Sequence, residues 1–401
     1  MSAKAEMLWL RESAIALDSI DPANINYADL EPFRAELDGV RVVLLGEIMH
    51  GDGSSFMAKT RLVQWLHQNL GFDALAFESG FYDCHIAWQS MQTKPALEAF
   101  REGVFAIWSH SAGILPLVNY LGDQIHSAQP LELLGFDCQL TGTASETQLV
   151  DDLEQLRITV GLEVEDWLVY CQEIQKLVGS EWRTVKPSPN CFTKVQLIHR
   201  RLMDAVSAHP PFANQAFWKH FLSSLQTELH NQWADKGEVQ PFWNQRDAQM
   251  ADNLLWHLEQ DPKRRLIVWA ANLHIARSAA TITQDGEYPY QGLIPMGQHL
   301  HKALGAEMLS VAITGLQGDM AICWNSDVHR FDAPLPSDLE TFCHDAGLEN
   351  AIFSWRKSNA FKSLEFPAKF CGTQSCSADW TNVFDAVLYT RDITRSHLSK
   401  P

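Results

Sequence analysis

Runs of consecutive apolar residues recur along the chain, each too short for a helix, and six of them give way to a polar residue capable of chemistry. Val42-Val43-Leu44-Leu45 leads into Gly46-Glu47-Ile48-Met49-His50-Gly51, Ala74-Leu75-Ala76-Phe77 into Glu78, and Leu133-Leu134-Gly135-Phe136 into Asp137. Leu266 to Ala270 precedes Asn272 and His274, Leu309 to Ile313 precedes Thr314, and a sixth run spans Ala386 to Tyr389. This pattern predicts six β-strands. After the first, Asp52-Gly53-Ser54-Ser55 offers N-cap chemistry to a helix with Phe56, Val63, Leu66 and Leu70 at helical spacing and Gly71 at its end, a βαβ unit. Between about 145 and 260 strand signals vanish and helical spacing takes over, as in Leu149, Leu153, Leu156 and Val160. That stretch reads as a helical insertion or lid.

The fold class is therefore α/β, a parallel-rich central sheet flanked by helices. Neither flank of the insertion has enough strands for a sheet alone, so residues 1–401 read as one domain carrying the insertion at 145–260. Residues 1–38 read as a helical lead-in that Asp21-Pro22 interrupts, and Asp392 to Pro401 as a frayed end.

With 46% hydrophobic residues the chain can fill a large core, and it has no stretch of eighteen apolar residues to span a bilayer. The N-terminus lacks a basic and apolar leader, which points to a cytoplasmic protein. A formal charge of −18 argues against nucleic acid or an anionic membrane as partner. The eight cysteines contain no CxxC pair and read as reduced, buried thiols. A homodimer is the ordinary expectation for a soluble enzyme.

In open α/β sheets ligands sit beyond the carboxyl ends of the strands, so residues far apart in sequence can share one crevice. Glu47, His50, Glu78 and His274 are the catalytic candidates on that ground. His50, three residues past Glu47 in a turn bracketed by glycines that admit a ligand closely, suits a general base, and the following helix would aim its positive end at the same crevice. Glu78 ends an apolar strand and must be paired, hydrated or protonated there. Arg246 and Asp247 open a helix whose face continues through Met250, Asn253 and His257, and a cation there could bind a substrate anion or clamp Glu78 or Glu47. Two further readings stay open. Glu47, His50, Glu78 and His274 could ligate a metal, with Asp52, His85 and Asp137 nearby, and Ser111 in Ser109-His110-Ser111-Ala112-Gly113 could be a nucleophile at an elbow. Trp182, Phe217, Trp218, Trp233, Phe242 and Trp243 could line an apolar pocket.

Five segments in this order resemble the erythromycin esterase family: Leu44 to Gly51, Leu70 to Phe81, Arg246 to Asn253, Val268 to Ala276 and Ile294 to Gln298. The resemblance implies a hydrolase needing no cofactor, whose best-known members open the macrolactone ring of erythromycin-type antibiotics, a resistance activity. It puts the water-activating histidine on His50, supporting glutamates on Glu47 and Glu78, and His274 in the second histidine segment. Where that family commonly has His-Asn-x-His, this chain has Ala271-Asn272-Leu273-His274, and where it usually has arginine, this chain has Lys59, with Arg61 close by. Lys59, Arg246 and Asn272 are the expected substrate-binding residues. The expected substrate is a small-molecule ester or lactone other than a macrolide, with a metal-dependent hydrolase or a non-catalytic binding member as alternatives.

Overall fold

The six apolar runs lie side by side. A computed structural model describes residues 3–234, 239–325, 327–358 and 361–399. Its strands are β1 (Ile15–Ala16), β2 (Val42–Leu45), β3 (Ala74–Gly80), β4 (Glu132–Asp137), β5 (Leu266–Trp269), β6 (Met308–Met320), β7 (His329–Arg330), β8 (Asn350–Ser354), β9 (Phe366–Ala368), β10 (Cys376–Ala378) and β11 (Ala386–Ile393). The main sheet runs β4-β3-β5-β2-β6-β11-β8-β1, with β7 paired to β6 and β9-β10 forming a separate hairpin. Every pairing from β4 to β11 is parallel, whereas β8, β1 and β7 pair antiparallel at the margins.

Consecutive residues of the central strands enter two different cores. Val43, Leu45, Leu75, Phe77, Ile267 and Trp269 pack on one face beneath the Gly53–Leu70 helix. Val42, Leu44, Ala74, Ala76, Leu266 and Val268 pack on the other, with Met250 and Leu254 of the Val239–Gln260 helix and Met296 and Leu300 of the Met296–Leu304 helix. Because both faces are covered, the strands are continuously apolar and do not alternate.

Between β4 and β5 the described residues form five α-helices, Thr143–Thr159, Trp167–Val178, Pro189–Ala208, Gln215–Trp233 and Val239–Gln260. A third core, with Leu149, Leu153, Tyr170, Leu202 and Leu225, holds them together. Trp182 and Phe217 belong to that core and Trp218 and Trp233 pack against it; Phe217 and Trp233 also line clefts, neither of which includes Glu47, His50, Glu78 or His274.

Two expectations about the ends are corrected. Helix covers Ala3–Ser13 and, as a 3-10 helix, Glu31–Leu37 of the lead-in; between them Asp21, Asn24 and Asn26 each accept the N–H two residues ahead, turns that compete with helix. Arg61 fastens this loop, bonding Asp29 and the carbonyls of Ser19, Asn24 and Asn26. At the other end the segment expected to fray is paired: β11 runs to Ile393, and Thr394 to Ser399 bond to the turns around Gly51 and Ser111. Residues 400 and 401 lie outside the described residues. All eight cysteines are free thiols, and among the described residues no helix is long and apolar enough to cross a membrane.

Candidate active site

Four neighbouring strands deliver the candidate residues. Register aligns Leu45 of β2 and Phe77 of β3 with Trp269 of β5, and Phe77 with Gly135 of β4. Glu47, Glu78, Asp137 and the turn from Ala271 to His274 therefore emerge together at the carboxyl ends of the strands.

His50 Nδ1 lies 2.8 Å from Glu47 Oε1. A carboxylate only accepts, so this partner places the proton on Nδ1 and leaves the lone pair on Nε2. Glu47 is wholly buried and held from every side: Oε1 also accepts from Trp108 Nε1 at 3.0 Å, and Oε2 accepts from Lys59 Nζ at 2.6 Å. The Trp108 ring meets the His50 ring edge-on, with centroids 4.8 Å apart. His50 itself stays reachable, its side chain 32% exposed.

His274 is built on the same plan, with a different outcome. Its Nδ1 lies 2.8 Å from Asp247 Oδ1, but its Nε2 faces a second carboxylate, Glu78 Oε1, at 3.3 Å. Burial pushes its pKa down, and Asp247 and Glu78 outweigh both burial and the repulsion of Arg246, so the net shift is upward. Two carboxylates on two ring nitrogens favour the imidazolium. Trp243 stacks on this ring with centroids 5.5 Å apart.

Glu78 stands between the two histidines. Its Oε1 is 3.3 Å from His274 Nε2, 3.3 Å from Arg246 Nη2 and 4.0 Å from His50 Nε2, while Oε2 accepts the Ala271 N–H at 3.0 Å. Burial alone would push this carboxyl up, but His274, His50 when it is protonated, Arg246 and the Ala271 N–H together hold it at about 2. Arg246 in turn grips Asp137, Nη2 to Oδ2 at 2.6 Å and Nε to Oδ1 at 3.1 Å, and keeps Nη1 3.4 Å from His274 Nε2.

The structure corrects several expectations. Lys59 is wholly buried and touches no open space: its ammonium bonds Glu47 and the carbonyls of Leu45 and Ala270 and lies 4.0 Å over the Trp269 ring. Burial pushes its pKa down to about 8 against the pull of Glu47. These contacts of its ammonium are all with protein, and it supports Glu47. Asn272 is also removed from substrate, because its side chain bonds the backbone of Ile313 and the carbonyl of Phe370. The glycines admit protein and not a ligand: a Cβ on Gly46 would fall 1.9 Å from Asn272 Oδ1, and one on Gly51 2.3 Å from the backbone of Ala321. The positive end of the Gly53–Leu70 helix is already taken. Asp52, wholly buried, accepts the Ser55 N–H at 2.9 Å and its hydroxyl, and the Gly53 N–H donates to Thr394 O. Burial pushes the Asp52 carboxyl up to about 7 despite the Ser55 bonds.

The metal reading fares poorly on its donor set. Glu47 spends both oxygens on Lys59, His50 and Trp108, and although the Nε2 atoms of His50 and His274 both turn toward Glu78 Oε1, at 4.0 and 3.3 Å, the Arg246 guanidinium already stands 3.3 Å from that oxygen and 3.4 Å from His274 Nε2. Among the described residues no group of three His, Cys, Asp or Glu is arranged to hold a metal ion. His85 is elsewhere, stacked on Phe217 with centroids 4.0 Å apart. Ser111 is buried and bonds the Ser396 hydroxyl at 2.6 Å, with no histidine as partner, so it is a turn residue.

Two contributors escaped the sequence. Trp108, 61 residues from Glu47, carried no local signal. Asp247 stands beside Arg246, and its adjacency to a candidate cation was the clue available; the helix the pair was expected to open already begins at Val239, so both lie within it. The face of that helix is not solvated: Asn253 Nδ2 donates to Phe136 O and His257 Nε2 to Gly135 O, covering the free edge of β4.

Set beside known proteins, residues 67–393 match the family model described as erythromycin esterase. The chain is 25% identical to YbfO of Bacillus subtilis (strain 168), named as a hydrolase, across 98% of this chain and 92% of that one. It is also 25% identical to erythromycin esterase type II of Escherichia coli, across 88% and 87%. Among solved structures it superposes on a Bacillus cereus protein with a TM-score of 0.81 at 17% identity, covering 100% of both chains. An erythromycin esterase EreC mutant in its open conformation gives 0.68 at 17% identity, covering 95% and 98%. The family match spans most of the chain, and the protein belongs to the erythromycin esterase family.

Proposed function

We propose that this protein is an esterase-like hydrolase that cleaves an ester or lactone with water activated by His50. Family membership supports a hydrolase, although the family match begins at residue 67, beyond Glu47 and His50. The observation that carries the mechanism is therefore local: Glu47 accepts a hydrogen bond from His50 Nδ1 at 2.8 Å, and Nε2 is left as an oriented base on a partly exposed ring.

In this reading a neutral His50 removes a proton from water through Nε2 as the oxygen attacks the carbonyl carbon. The imidazolium formed is stabilised by Glu47 on one side and Glu78 on the other. The tetrahedral oxyanion meets the His274 imidazolium and Arg246 Nη1, the cations nearest the crevice. Collapse breaks the bond to the leaving oxygen, which takes the proton back from His50 Nε2. Proton and charge return to their starting places. The helices over 143–260 act as the lid, with Trp243 as their aromatic contribution to the pocket wall. Ala271 stands where the family commonly has a histidine, so the substrate is taken to be an ester or lactone other than a macrolide.

Hydrolysis of aryl esters, simple lactones and erythromycin by wild type and His50→Ala, with metal content measured on both, tests this. Turnover by metal-free wild type that disappears in the variant is expected. Equal turnover by the variant, or loss of wild-type turnover on chelation, would remove His50 as the base.

A further inference from the structure

The last described residues bind the two turns on which the His50 arrangement depends. Past Ile393 the chain crosses the first turn: the Gly53 N–H donates to Thr394 O at 2.8 Å, the Ser396 N–H to Gly51 O at 2.8 Å, and the Thr394 N–H to Ser54 Oγ at 2.9 Å. It then crosses the second: the Ala112 N–H donates to His397 O at 2.7 Å and the Ser399 N–H to His110 O at 2.8 Å. Arg101 Nη2 donates to Ser399 Oγ at 2.9 Å. Between the two sets the buried hydroxyls of Ser396 and Ser111 meet at 2.6 Å.

The first turn carries His50, and the second follows directly on the short helix Ala106–Ser109 that carries Trp108, the Ser111 N–H donating to Trp108 O at 2.8 Å. Both side chains end on the same oxygen, Glu47 Oε1. The fit is close, since a Cβ on Gly53 would come within 3.0 Å of Arg395 O. Core burial does not account for this segment: of residues 394–399 only Ser396 is buried, and Leu398 is 55% exposed. All the parallel strands are complete before it begins. Polar bonds spent on two loops, with almost no apolar burial, fix geometry more than they stabilise a fold.

We propose that residues 394–399 are a positioning strap for the reaction, with the Ser396–Ser111 pair at its centre, holding the His50 turn against the turn that follows Trp108 so that both side chains meet Glu47. The proposal rests on His50 acting as the base. Without the strap the two turns separate, Nδ1 loses its fixed partner, and Nε2 no longer presents its lone pair in one direction. Displacing a reacting group by about 1 Å can cost about 100-fold in rate.

The test compares the full chain with a variant ending at Ile393 and with Ser396→Ala, by thermal unfolding, by p-nitrophenyl acetate hydrolysis and by the ¹⁵N signals of the histidine rings, His50 being identified by its loss in His50→Ala. The shortened chain is expected to unfold cooperatively, with kcat lower by about 100-fold, KM within a few-fold, and His50 shifted from a single Nδ1-protonated tautomer toward averaging. Synthetic peptide 394–401 added in excess should restore both readouts. Unchanged kcat and an unchanged His50 signal in a folded shortened chain overturn the strap. If the full chain turns over no ester, the hydrolase reading fails while the His50 signal still decides the strap. If the shortened chain does not fold, Ser396→Ala decides by the same signal: a loss of the fixed tautomer supports the strap, and a wild-type spectrum overturns it.

Discussion

His50 and His274 are two copies of one unit, an imidazole whose Nδ1 is held 2.8 Å from a carboxylate and whose Nε2 is turned toward Glu78. Their surroundings give them opposite characters. Around His50 the cation Lys59 lies behind the carboxylate, so Glu47 is already neutralised, the ring is a third exposed, and Nε2 stands 4.0 Å from Glu78. Around His274 the ring is buried and Nε2 comes within 3.3 Å of Glu78, close enough for a second charged partner. The distance to one shared carboxylate, and the access of water, set the proposed base apart from a buried ring paired on both nitrogens.

The largest effect should come from removing the base. His50→Ala is expected to lower kcat by about 1,000-fold or more, and His274→Asn by roughly 10- to 100-fold, because a general base supplies about 10²–10⁴ and a cation beside the oxyanion generally less when a second one remains. Single-turnover rates on one aryl ester measure both, and equal losses would break the comparison.

Glu47→Gln comes next. It keeps the shape but frees the His50 tautomer, for a loss of about 100-fold, and it leaves Lys59 buried without its partner, for about 3–5 kcal/mol of stability. Adding Lys59→Met should recover most of the stability and none of the rate. Recovery of both would mean that Glu47 acts only through packing.

Acid titration sharpens the role of Glu78. Its folded pKa of about 2, below the ordinary 4.5, means that its contribution is fully present above about pH 4.5 and is lost as pH falls toward 2. At order of magnitude this is about 3 kcal/mol, and Glu78→Gln should flatten that acid limb in denaturant melts taken from pH 5 down to 2. His274 has the opposite sign. With its pKa raised, its contribution is fully present below pH 6.5 and is lost as pH rises through the folded value. The Tm gap between wild type and His274→Asn should therefore be widest near pH 6 and close toward alkaline pH.

Asn272→Ala should give the smallest change in activity. It leaves the Ile313 N–H and two carbonyls without their partner, at about 1–3 kcal/mol, while kcat/KM of the folded protein stays within a few-fold. A large rise in KM alone would return Asn272 to the substrate.

The legibility of the site followed the same division. Glu47, His50, Glu78 and His274 were readable because each ends or follows an apolar run, and strand ends in a parallel sheet meet. The partners that give them their characters were not. Lys59 lies among the residues of a helix and could equally have faced solvent or substrate, and only the closeness of Trp269 and Ala270 shows that it points inward. Trp108 and Asp247 reach their partners from 61 and 27 residues away, with no periodic pattern marking them. The tail was misjudged for a related reason: its bonds to Gly51 and Ser111 are made by backbone and small polar side chains, which resemble a frayed end when read in isolation.

The sequence alone determined the six parallel strands, their burial and the edge at which the chemistry collects, but not the short marginal strands β1, β7, β8, β9 and β10, because the hydrophobic effect acts on each long apolar run wherever its neighbours come from and leaves a pattern in the chain. The tertiary structure decided which glycine accommodates a backbone, which cation is buried, which histidine stays exposed and which loops the tail ties together. Those outcomes depend on hydrogen bonds and charges over a few ångströms between residues as far as 340 positions apart, as Ser54 and Thr394 are. Interactions of that range follow from where the folded backbone brings two groups, and no periodicity along the chain records it.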